Sequence, residues 1–297
     1  MSRIQLGIAP IGWTNDDMPD LGGNISFEQC ISDMSRAGYT GTEIGNKYPK
    51  DPVVLKAELL KKGLKIANSW YSSFILTKPM EEVEKDFRAK CEYLKTLGAK
   101  SIGASEQSYS IQGTDKAVFD AKYIMNDKEW IKLVNGLNHL GKVSLEYGLN
   151  LNYHHHMGTV VQTEEEVDRF MAMTDPKLVS LLYDSGHFAY CNADYLGILK
   201  KYIGRIKHIH LKDIRPLMVE KVRKEKLSFL QGVRIGAFTV PGDGVIDFAP
   251  IFEIIAKSNY SGWLLVEAEQ DPAIHNPLEN AVKAKAYMDN LLKRYNI

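Results

Sequence analysis

The chain has 297 residues, 44% of them hydrophobic, which is enough to bury a sizeable core in one large domain. Basic and acidic residues both number 37, so the formal net charge is zero and gives no overall positive field for a nucleic acid. The opening stretch MSRIQLGIAPIGW has too short an apolar run for a signal peptide or a membrane span. We therefore expect a cytoplasmic protein with neither a nucleic-acid nor a membrane partner.

An amphipathic helix that ends at a glycine, followed by a short strand-forming run, recurs along the chain. Gly38, Gly63, Gly98 and Gly148 lie where a helix needs a left-handed residue to end. The acidic run TEEEVDRF predicts the start of another helix, with Thr163 as its N-cap. The recurring pattern is found at ISDMSRAGYTGTEIG, ELLKKGLKIANSW, EYLKTLGAKSIGAS, KVSLEYGLNLNYHHH and IIAKSNYSGWLLVEA.

Three further runs, IQLGIAP, LVSLLYDSGH and RIKHIHLKD, bring the number of predicted strands to eight. Strands that alternate with helices pair in parallel, so the sequence predicts an α/β fold, a (β/α)8 TIM barrel. We expect it to form one domain over residues 1–297. A doubly wound open sheet is the alternative, but no G-x-G-x-x-G follows the first strand and no G-x-x-x-x-G-K-[ST] is present to hold a nucleotide cofactor.

Residues 214–248 depart from this alternation, and we predict a long loop that folds over the end of the seventh strand. The loop contains a basic amphipathic stretch, VEKVRKEKLSFL, and a glycine-rich stretch, GVRIGAFTVPGDG. This composition is typical of either a mobile lid or a rigid, sharply folded connection. In the lid interpretation, Arg234 reaches the substrate.

Ionisable side chains crowd the predicted strand ends, which is where TIM barrels carry their active sites. Six of the eight histidines belong to the fifth, sixth and seventh strands. From the second strand to the eighth, the side chains at these ends are Glu43, Ser69, Trp70, Glu106, His154, His155, His156, Asp184, His187, His208, His210, Lys212, Asp213, Glu267 and Glu269.

The two-residue period of a strand divides these residues between two faces. His154 and His156 share one face and His155 has the other. Asp184, His210 and Glu267 converge if their shared strand phases point inward, and an imidazole with carboxylates favours Mn, Co, Fe or Zn over Ca or Mg. Two further residues stay open: His208 is typical of a hydrogen-bonded core residue, and Glu269 is either functional or part of a solvated rim.

Several blocks in order resemble the xylose-isomerase-like barrel superfamily of sugar isomerases, epimerases and dehydratases. They are GIAPIGWTNDDMPDLGG, GTEIGNKYP, YHHHMGTVVQT, YDSGHFAY, HIHLKDIRP, GAFTVPGDGVIDF and GWLLVEAEQDP. Within the superfamily they look like the dehydratases of inositol catabolism. The resemblance implies a hydro-lyase that removes water from a cyclitol ketone, a small-molecule substrate, and a possible homo-oligomer.

The resemblance also implies a single divalent-metal site, with Mn or Co expected and Zn or Fe also possible. Asp184, His210 and Glu267 match the superfamily's ligands, while His154 stands where the fifth strand usually carries a glutamate. We predict His154 as the fourth ligand. His156 is then a neighbouring residue that contacts substrate.

The proton-transfer groups are less defined by the motifs. His187, Lys212 and Glu43 are the candidates, with desolvation as the means of giving Lys212 a useful pKa. The alternatives are a structural hydrogen bond for His187, substrate binding for Lys212, and a contact with Lys47 or a backbone amide for Glu43. Trp13 and Trp70 are candidates for packing on the apolar face of a cyclitol ring, or for core packing. The rival functions are a sugar isomerase or epimerase, an endonuclease of abasic DNA and a non-catalytic sugar-binding barrel.

Overall fold

Parallel strands form the main sheet of the protein, and a computed structural model describes residues 3–297. Nine strands of the described chain hydrogen-bond in the order β3-β2-β1-β11-β8-β7-β6-β5-β4, and β9 and β10 form a separate antiparallel pair. The strands are β1 (Ile4–Ile8), β2 (Gly41–Glu43), β3 (Lys65–Asn68), β4 (Trp70–Ser73), β5 (Ser101–Glu106), β6 (Asn150–His154), β7 (Val179–Asp184), β8 (Ile206–Leu211), β9 (Asp213–Ile214), β10 (Phe238–Thr239) and β11 (Gly262–Val266).

The barrel closes where its third strand is interrupted. Strands β3 and β4 form the two edges of the sheet, yet only Ser69 separates them in the chain. Gly103 N on β5 donates to Ser69 O at 3.0 Å and links the two halves. Together β3 and β4 serve as one strand, so the predicted (β/α)8 barrel is confirmed, and its fifth to eighth strands are β6, β7, β8 and β11.

Helices cover the outside of the barrel and begin and end as the turn chemistry indicates. Gly38, Gly63, Gly98 and Gly148 all have positive φ, between 70° and 87°. Thr163 caps α5 through a capping box, as predicted. The helices are α1 (Phe27–Arg36), α2 (Pro52–Lys61), α3 (Met80–Leu97), α4 (Asp127–Glu146), α5 (Glu164–Met173), α6 (Ser185–Tyr190), α7 (Tyr195–Tyr202), α8 (Pro216–Glu225), α9 (Phe229–Arg234), α10 (Ala249–Lys257) and α11 (Pro277–Tyr295).

Beside the main core between strands and helices, a second apolar cluster lies on the carboxyl-terminal side of the barrel. Its residues come from segments that follow strand ends, and we name it the cap cluster. The apolar side chains of these loops pack against each other in the cap cluster, and this packing fixes the loops around the strand ends. Its buried members are Met18, Leu21, Val118, Met157, Tyr190, Ile214, Val219, Val222, Phe229, Val233, Ala237 and Phe238.

Residues 214–248 contain helices α8 and α9 and strand β10, where the sequence suggested a loop. The basic stretch buries Val219 and Val222 in the cap cluster, which stabilises α8 by hydrophobic packing. Ser228 then starts α9 with a capping box, because its side chain accepts from Gln231 N. The prediction of a long loop missed these two helices and the short strand, because the burial of the apolar positions depends on distant segments.

The glycine-rich part of the segment is held by a buried carboxylate. Asp213 accepts hydrogen bonds from the backbone N–H groups of Ile214, Gly244, Val245 and Ile246, at 2.8 to 3.1 Å. A side chain at Gly244 would meet Asp213 Oδ1 at 2.3 Å, so this close approach requires glycine. These contacts favour the rigid connection over the mobile lid.

Within residues 3–297, no helix combines the length and the apolar character needed to cross a membrane.

The Asp243 carboxylate ties the same segment to α11 and provides a test at different pH values. It accepts from Arg215 Nη2 at 2.8 Å, from Thr239 Oγ1 at 2.7 Å and from Lys283 Nζ. Burial alone would raise the pKa of Asp243, but the hydrogen bonds from Lys283, Thr239 and Arg215 outweigh it and lower that pKa to about 2. The ionised form is therefore favoured by folding, and its stabilisation is lost as pH falls from about 4 towards 2.

We expect Asp243→Asn to lower the free energy of unfolding at pH 7 by about 1 kcal/mol. The difference from the wild type should shrink between pH 4 and pH 3, measured by urea unfolding. Asp20→Asn is the control, because Asp20 pairs with Arg234 where both side chains are about half exposed. A difference that is constant with pH would contradict the electrostatic explanation.

Candidate active site

A cavity of about 150 Å³ opens at the carboxyl-terminal end of the barrel. Side chains from the ends of β2, β6, β8 and β11 meet residues of the neighbouring loops around it. The lining consists of Ala9, Pro10, Ile11, Asp16, Asp17, Glu43, Ile44, Trp70, Gln112, His154, His156, His210, Glu267 and Glu269. This is the place where a TIM barrel carries its chemistry.

The four predicted metal ligands come together beside this cavity. His210 Nδ1 lies 2.8 Å from Glu267 Oε2 and 3.5 Å from Asp184 Oδ2. His154 Nε2 lies 3.6 Å from the same oxygen of Asp184. His154, Asp184 and His210 belong to β6, β7 and β8, and Glu267 directly follows β11. These four strands are consecutive in the barrel. Asp184 and His210 are paired in register, so their side chains point to the same side of the sheet.

The donor atoms fit a divalent cation. His154, Asp184 and His210 offer donor atoms that all lie within 4.8 Å of one another, and Asp184 with His187 and Glu267 forms a second such group. Asp184 Oδ2 is buried and has no hydrogen-bond partner, and His210 Nδ1 lies between this oxygen and Glu267 Oε2. Unpartnered buried polar atoms are costly, and an ion would satisfy them. Imidazole nitrogen with carboxylate oxygen suits a transition metal.

Asp184 is prepared for this role by the turn that follows its strand. Its Oδ1 accepts the backbone N–H of His187 at 2.9 Å, as the N-cap of α6. The cap orients the carboxylate and leaves Oδ2 directed at His154 and His210.

Glu43 lies behind the imidazole of His210. Its Oε1 accepts from His210 Nε2 at 2.9 Å and from Asn68 Nδ2 at 2.8 Å, and it lies 3.2 Å from His208 Nε2. Burial opposes ionisation of Glu43, but His210 and His208 outweigh it and hold its pKa well below the usual range. A carboxylate on the far nitrogen is the usual way in which a metal-binding histidine is oriented. The alternative contact with Lys47 is absent, since Lys47 donates to backbone carbonyls.

Lys212 is fully buried among carboxylates and does not line the cavity. Its Nζ lies 2.6 Å from Glu267 Oε1, 2.8 Å from Glu269 Oε1 and 3.6 Å from Asp184 Oδ2. Burial lowers the pKa of Lys212, but Asp184, Glu267 and Glu269 outweigh burial and raise it above the usual value. The result is the reverse of what burial alone would give, because these three neighbours outweigh desolvation.

The positive charges of Lys212 and His210 in turn lower the pKa of the neighbouring carboxylate of Glu267. Burial alone would raise the pKa of Glu267, and Lys212 and His210 outweigh it and lower that pKa to about 2. His210 shows the reverse, because Glu43 and Glu267 overcome its burial and raise its pKa well above the usual value.

Glu269 belongs to the site and not to a solvated rim. It is 3% exposed, lines the cavity and accepts from Lys212. His156 Nε2 and His187 Nε2 lie 3.9 Å and 3.8 Å from its Oε1. The signal for this role was present in the sequence, because Glu269 has the same phase as Glu267.

His187 does not face the cavity as predicted for a proton-transfer group. It is fully buried, and its Nε2 is hydrogen-bonded to Lys212 Nζ at 3.0 Å. Burial first, and the charge of Lys212 second, hold the pKa of His187 well below its usual value. The ring is therefore neutral and accepts a hydrogen bond from Lys212. His187 belongs to the short helix α6, and its side chain lies in the interior beside Glu269.

The three consecutive histidines divide as the strand alternation predicts. His154 and His156 line the cavity, with Trp70 edge-on to each ring at 5.5 Å between centroids. His155 points to the opposite side and stacks on Phe188 at 3.7 Å.

Two predicted substrate contacts lie elsewhere. Trp13 is buried in the main core, and its Nε1 donates to Asp33 Oδ2 on α1 at 3.2 Å. Arg234 on α9 is half-exposed and pairs with Asp20 at 2.8 Å. Neither residue lines the cavity, because Asp33 on α1 holds the indole of Trp13 and Asp20 holds the guanidinium of Arg234.

Three polar lining residues, Asp16, Asp17 and Gln112, were missed by the sequence analysis. They belong to irregular connections, after β1 and after β5, which have no periodicity to indicate their direction.

The chain is similar in sequence and in fold to known proteins. The sequence model of the family described as xylose isomerase-like TIM barrel matches residues 23–291. Two proteins named inosose dehydratase are similar over nearly their whole length. The one from Clostridium perfringens (strain 13 / Type A) is 59% identical and covers 97% of each chain, and the one from Clostridium botulinum (strain Alaska E43 / Type E3) is 58% identical and covers 96% of each.

A crystal structure of the IOLI protein with a binding zinc atom superposes with a TM-score of 0.71. The two chains are 17% identical, and the superposition covers 98% of this chain and 99% of the other. At this identity the likeness shows the shared barrel fold.

The donor set predicts the metal content of two variants. We expect Asp184→Ala and Glu267→Ala to bind far less than one divalent ion per chain, because each removes a ligand oxygen. Metal analysis after dialysis against Mn²⁺ or Co²⁺ measures the loss, with circular dichroism to confirm folding. Asp271→Ala is the control, since Asp271 follows the same strand but does not line the cavity. Full metal content in both ligand variants would disprove the assignment.

Proposed function

Because the chain belongs to the inosose dehydratase family of xylose isomerase-like TIM barrels, we propose that it is a metal-dependent hydro-lyase acting on inosose, 2-keto-myo-inositol. Loss of water from this β-hydroxy ketone gives an enol that settles as a trihydroxycyclohexane-dione. The observation that carries the proposal is the convergence of imidazole and carboxylate donor atoms, with the unpartnered Asp184 Oδ2 among them, beside a small cavity that Glu43 and Glu269 also line.

His154, Asp184, His210 and Glu267 would hold the cofactor, which we propose to be Mn²⁺ or Co²⁺, with Zn²⁺ or Fe²⁺ also compatible with these ligands. When bound, such an ion polarises the substrate carbonyl and stabilises the negative charge that develops on its oxygen. Trp70 offers an aromatic wall to the apolar face of the ring.

Glu43 suits removal of the α-proton. Its hydrogen bonds from His210 and Asn68 both go to Oε1, as does the short contact with His208, which leaves Oε2 available. Its ionised state is maintained by the neighbouring imidazoles, so it can accept the proton.

Glu269 suits delivery of a proton to the departing β-hydroxyl, which leaves as water. Lys212 donates to Glu269 Oε1 and lowers the pKa of this carboxylate, so the ammonium is the proton source and the ionised Glu269 passes its proton to the hydroxyl only as the hydroxyl departs. His187 in turn accepts from Lys212 and fixes its position. We therefore assign positioning and relay roles to Lys212 and His187, and direct substrate contact to Glu269 and His156.

The reaction itself is tested by product analysis with inosose and the Mn²⁺- or Co²⁺-loaded protein, followed by NMR. We expect the cyclic diketone to accumulate and no isomeric ketose to form. The matched control is the Asp184→Ala variant under the same conditions, which should form no diketone above the uncatalysed rate. Isomerisation without loss of water would replace the dehydratase with the epimerase interpretation.

The residue at position 154 distinguishes elimination from sugar epimerisation. The sugar epimerases of this superfamily are alike in using two opposed glutamates, and in this chain His154 stands in place of one of them. We expect His154→Glu to retain metal, because a carboxylate also binds Mn²⁺ or Co²⁺. The added negative charge beside the developing enolate should slow dehydration by about tenfold to a thousandfold, or roughly 1.4 to 4 kcal/mol of transition-state stabilisation.

A paired assay of deuterium incorporation from D2O and of diketone formation measures this effect. Proton exchange should suffer less than water loss if the new carboxylate acts as a base. His155→Phe is the control at the next position in the chain, because the ring of His155 makes no hydrogen bond and stacks on Phe188. Dehydration by His154→Glu at the wild-type rate would show that this histidine does not set the reaction.

A further inference from the structure

The lining of the cavity combines polar and apolar groups. His154, His210 and Glu267 line it among the candidate metal ligands, and Pro10, Ile11, Ile44 and Trp70 provide apolar lining. Asp16, Asp17 and Gln112 add polar lining from loops that lie beyond the strand ends. A flat cyclitol ring matches this arrangement, since its C–H faces are apolar and its hydroxyl groups surround the edge.

Two loops distant in sequence hold these polar residues together. Gln112 Nε2, from the connection between β5 and α4, donates to Asp17 Oδ2 at 2.7 Å. Asp16 Oδ1 accepts from Asn46 N at 3.2 Å. Asn15 Oδ1 accepts from the backbone N–H groups of Asp17 and Met18, which holds the first loop in a turn.

The remaining acceptor atoms of this group are available to a ligand. Among residues 3–297, Asp16 Oδ2 and Asp17 Oδ1 have no hydrogen-bond partner. Gln112 Oε1 is buried and likewise lacks one. Carboxylate and amide oxygens accept hydrogen bonds, and hydroxyl groups donate them.

We propose that Asp16, Asp17 and Gln112 are specificity-determining residues that bind the hydroxyl groups on the ring edge opposite the reacting carbonyl. The inference rests on the proposed function and deepens it. A substrate that lacks these hydroxyls leaves the buried Gln112 Oε1 without a donor, while water can reach the exposed Asp16 and Asp17, so the buried amide oxygen contributes most to discrimination.

The same residues select for an uncharged ring. No lysine or arginine lines the cavity, while Asp16, Asp17 and Glu43 place carboxylates along it. A phosphate group at the distal edge would face two carboxylates and no cation. The site therefore takes the unphosphorylated cyclitol and rejects its phosphate esters.

Binding is measured with the metal-loaded full-length protein and two probes that are not turned over, myo-inositol and a myo-inositol monophosphate, by calorimetry. We expect the wild type to bind myo-inositol at least tenfold more tightly than its phosphate. Asp17→Asn and Gln112→Ala should each weaken myo-inositol binding by about tenfold to a hundredfold. The double variant with Asp16→Asn and Asp17→Asn should reduce the ratio between the dissociation constants of the phosphate and of myo-inositol.

Steady-state kinetics separate a substrate contact from a merely structural role, because only a substrate contact changes KM without a matching change in kcat. With inosose, Asp17→Asn should raise KM and leave kcat within about threefold. With a deoxy-inosose that lacks the hydroxyl opposite the carbonyl, this variant should match the wild type. Asp115→Asn is the control, because Asp115 is exposed in the same loop as Gln112 and does not line the cavity.

The outcomes separate this inference from the proposed function. If myo-inositol binds and the variants weaken it, but inosose is not dehydrated, the proposed function fails and the binding assignment stands. If Asp17→Asn and Gln112→Ala bind myo-inositol like the wild type, or if the phosphate binds as tightly, the inference is overturned. It is also overturned if the wild type binds no cyclitol.

Discussion

The site depends on the balance of charge around one buried ammonium group. Lys212 contacts Glu267 and Glu269 and lies near Asp184, all in the protein interior. Buried carboxylates are costly unless cations and hydrogen bonds surround them, and removal of one partner leaves the others uncompensated. Lys212 therefore keeps three acidic side chains ionised within a few ångströms of each other.

This balance explains why the predicted ligand set suits a metal ion. Two glutamates, Glu43 and Glu267, act on the imidazole of His210 from its two nitrogens and favour its protonated form. A divalent cation at the ligand atoms supplies positive charge in place of that proton, and leaves Glu43 as the acceptor that orients the ring. With such an ion bound, Lys212 and the ion would together neutralise the carboxylates.

The cap cluster connects the outer segment to the same charges. Phe238 places its ring 4.8 Å from Lys212 Nζ, and Phe229 packs at 4.9 Å from the ring of His156. Both phenylalanines belong to residues 214–248 and are buried in the cap cluster. The segment thus forms the apolar wall behind the polar site, which excludes water and strengthens the electrostatic interactions inside.

The sequence by itself determined the features that rest on local rules. Helix ends at Gly98 and Gly148 follow from the need for positive φ, and the separation of His154 and His156 from His155 follows from the two-residue period of a strand. Only the tertiary structure decided the direction of Trp13 and Arg234, the charged surroundings of Lys212, the burial of Glu269 and the place of Gln112 at the cavity. These properties depend on contacts between residues far apart in the chain, and neither periodicity nor composition specifies which distant side chain will meet a given residue.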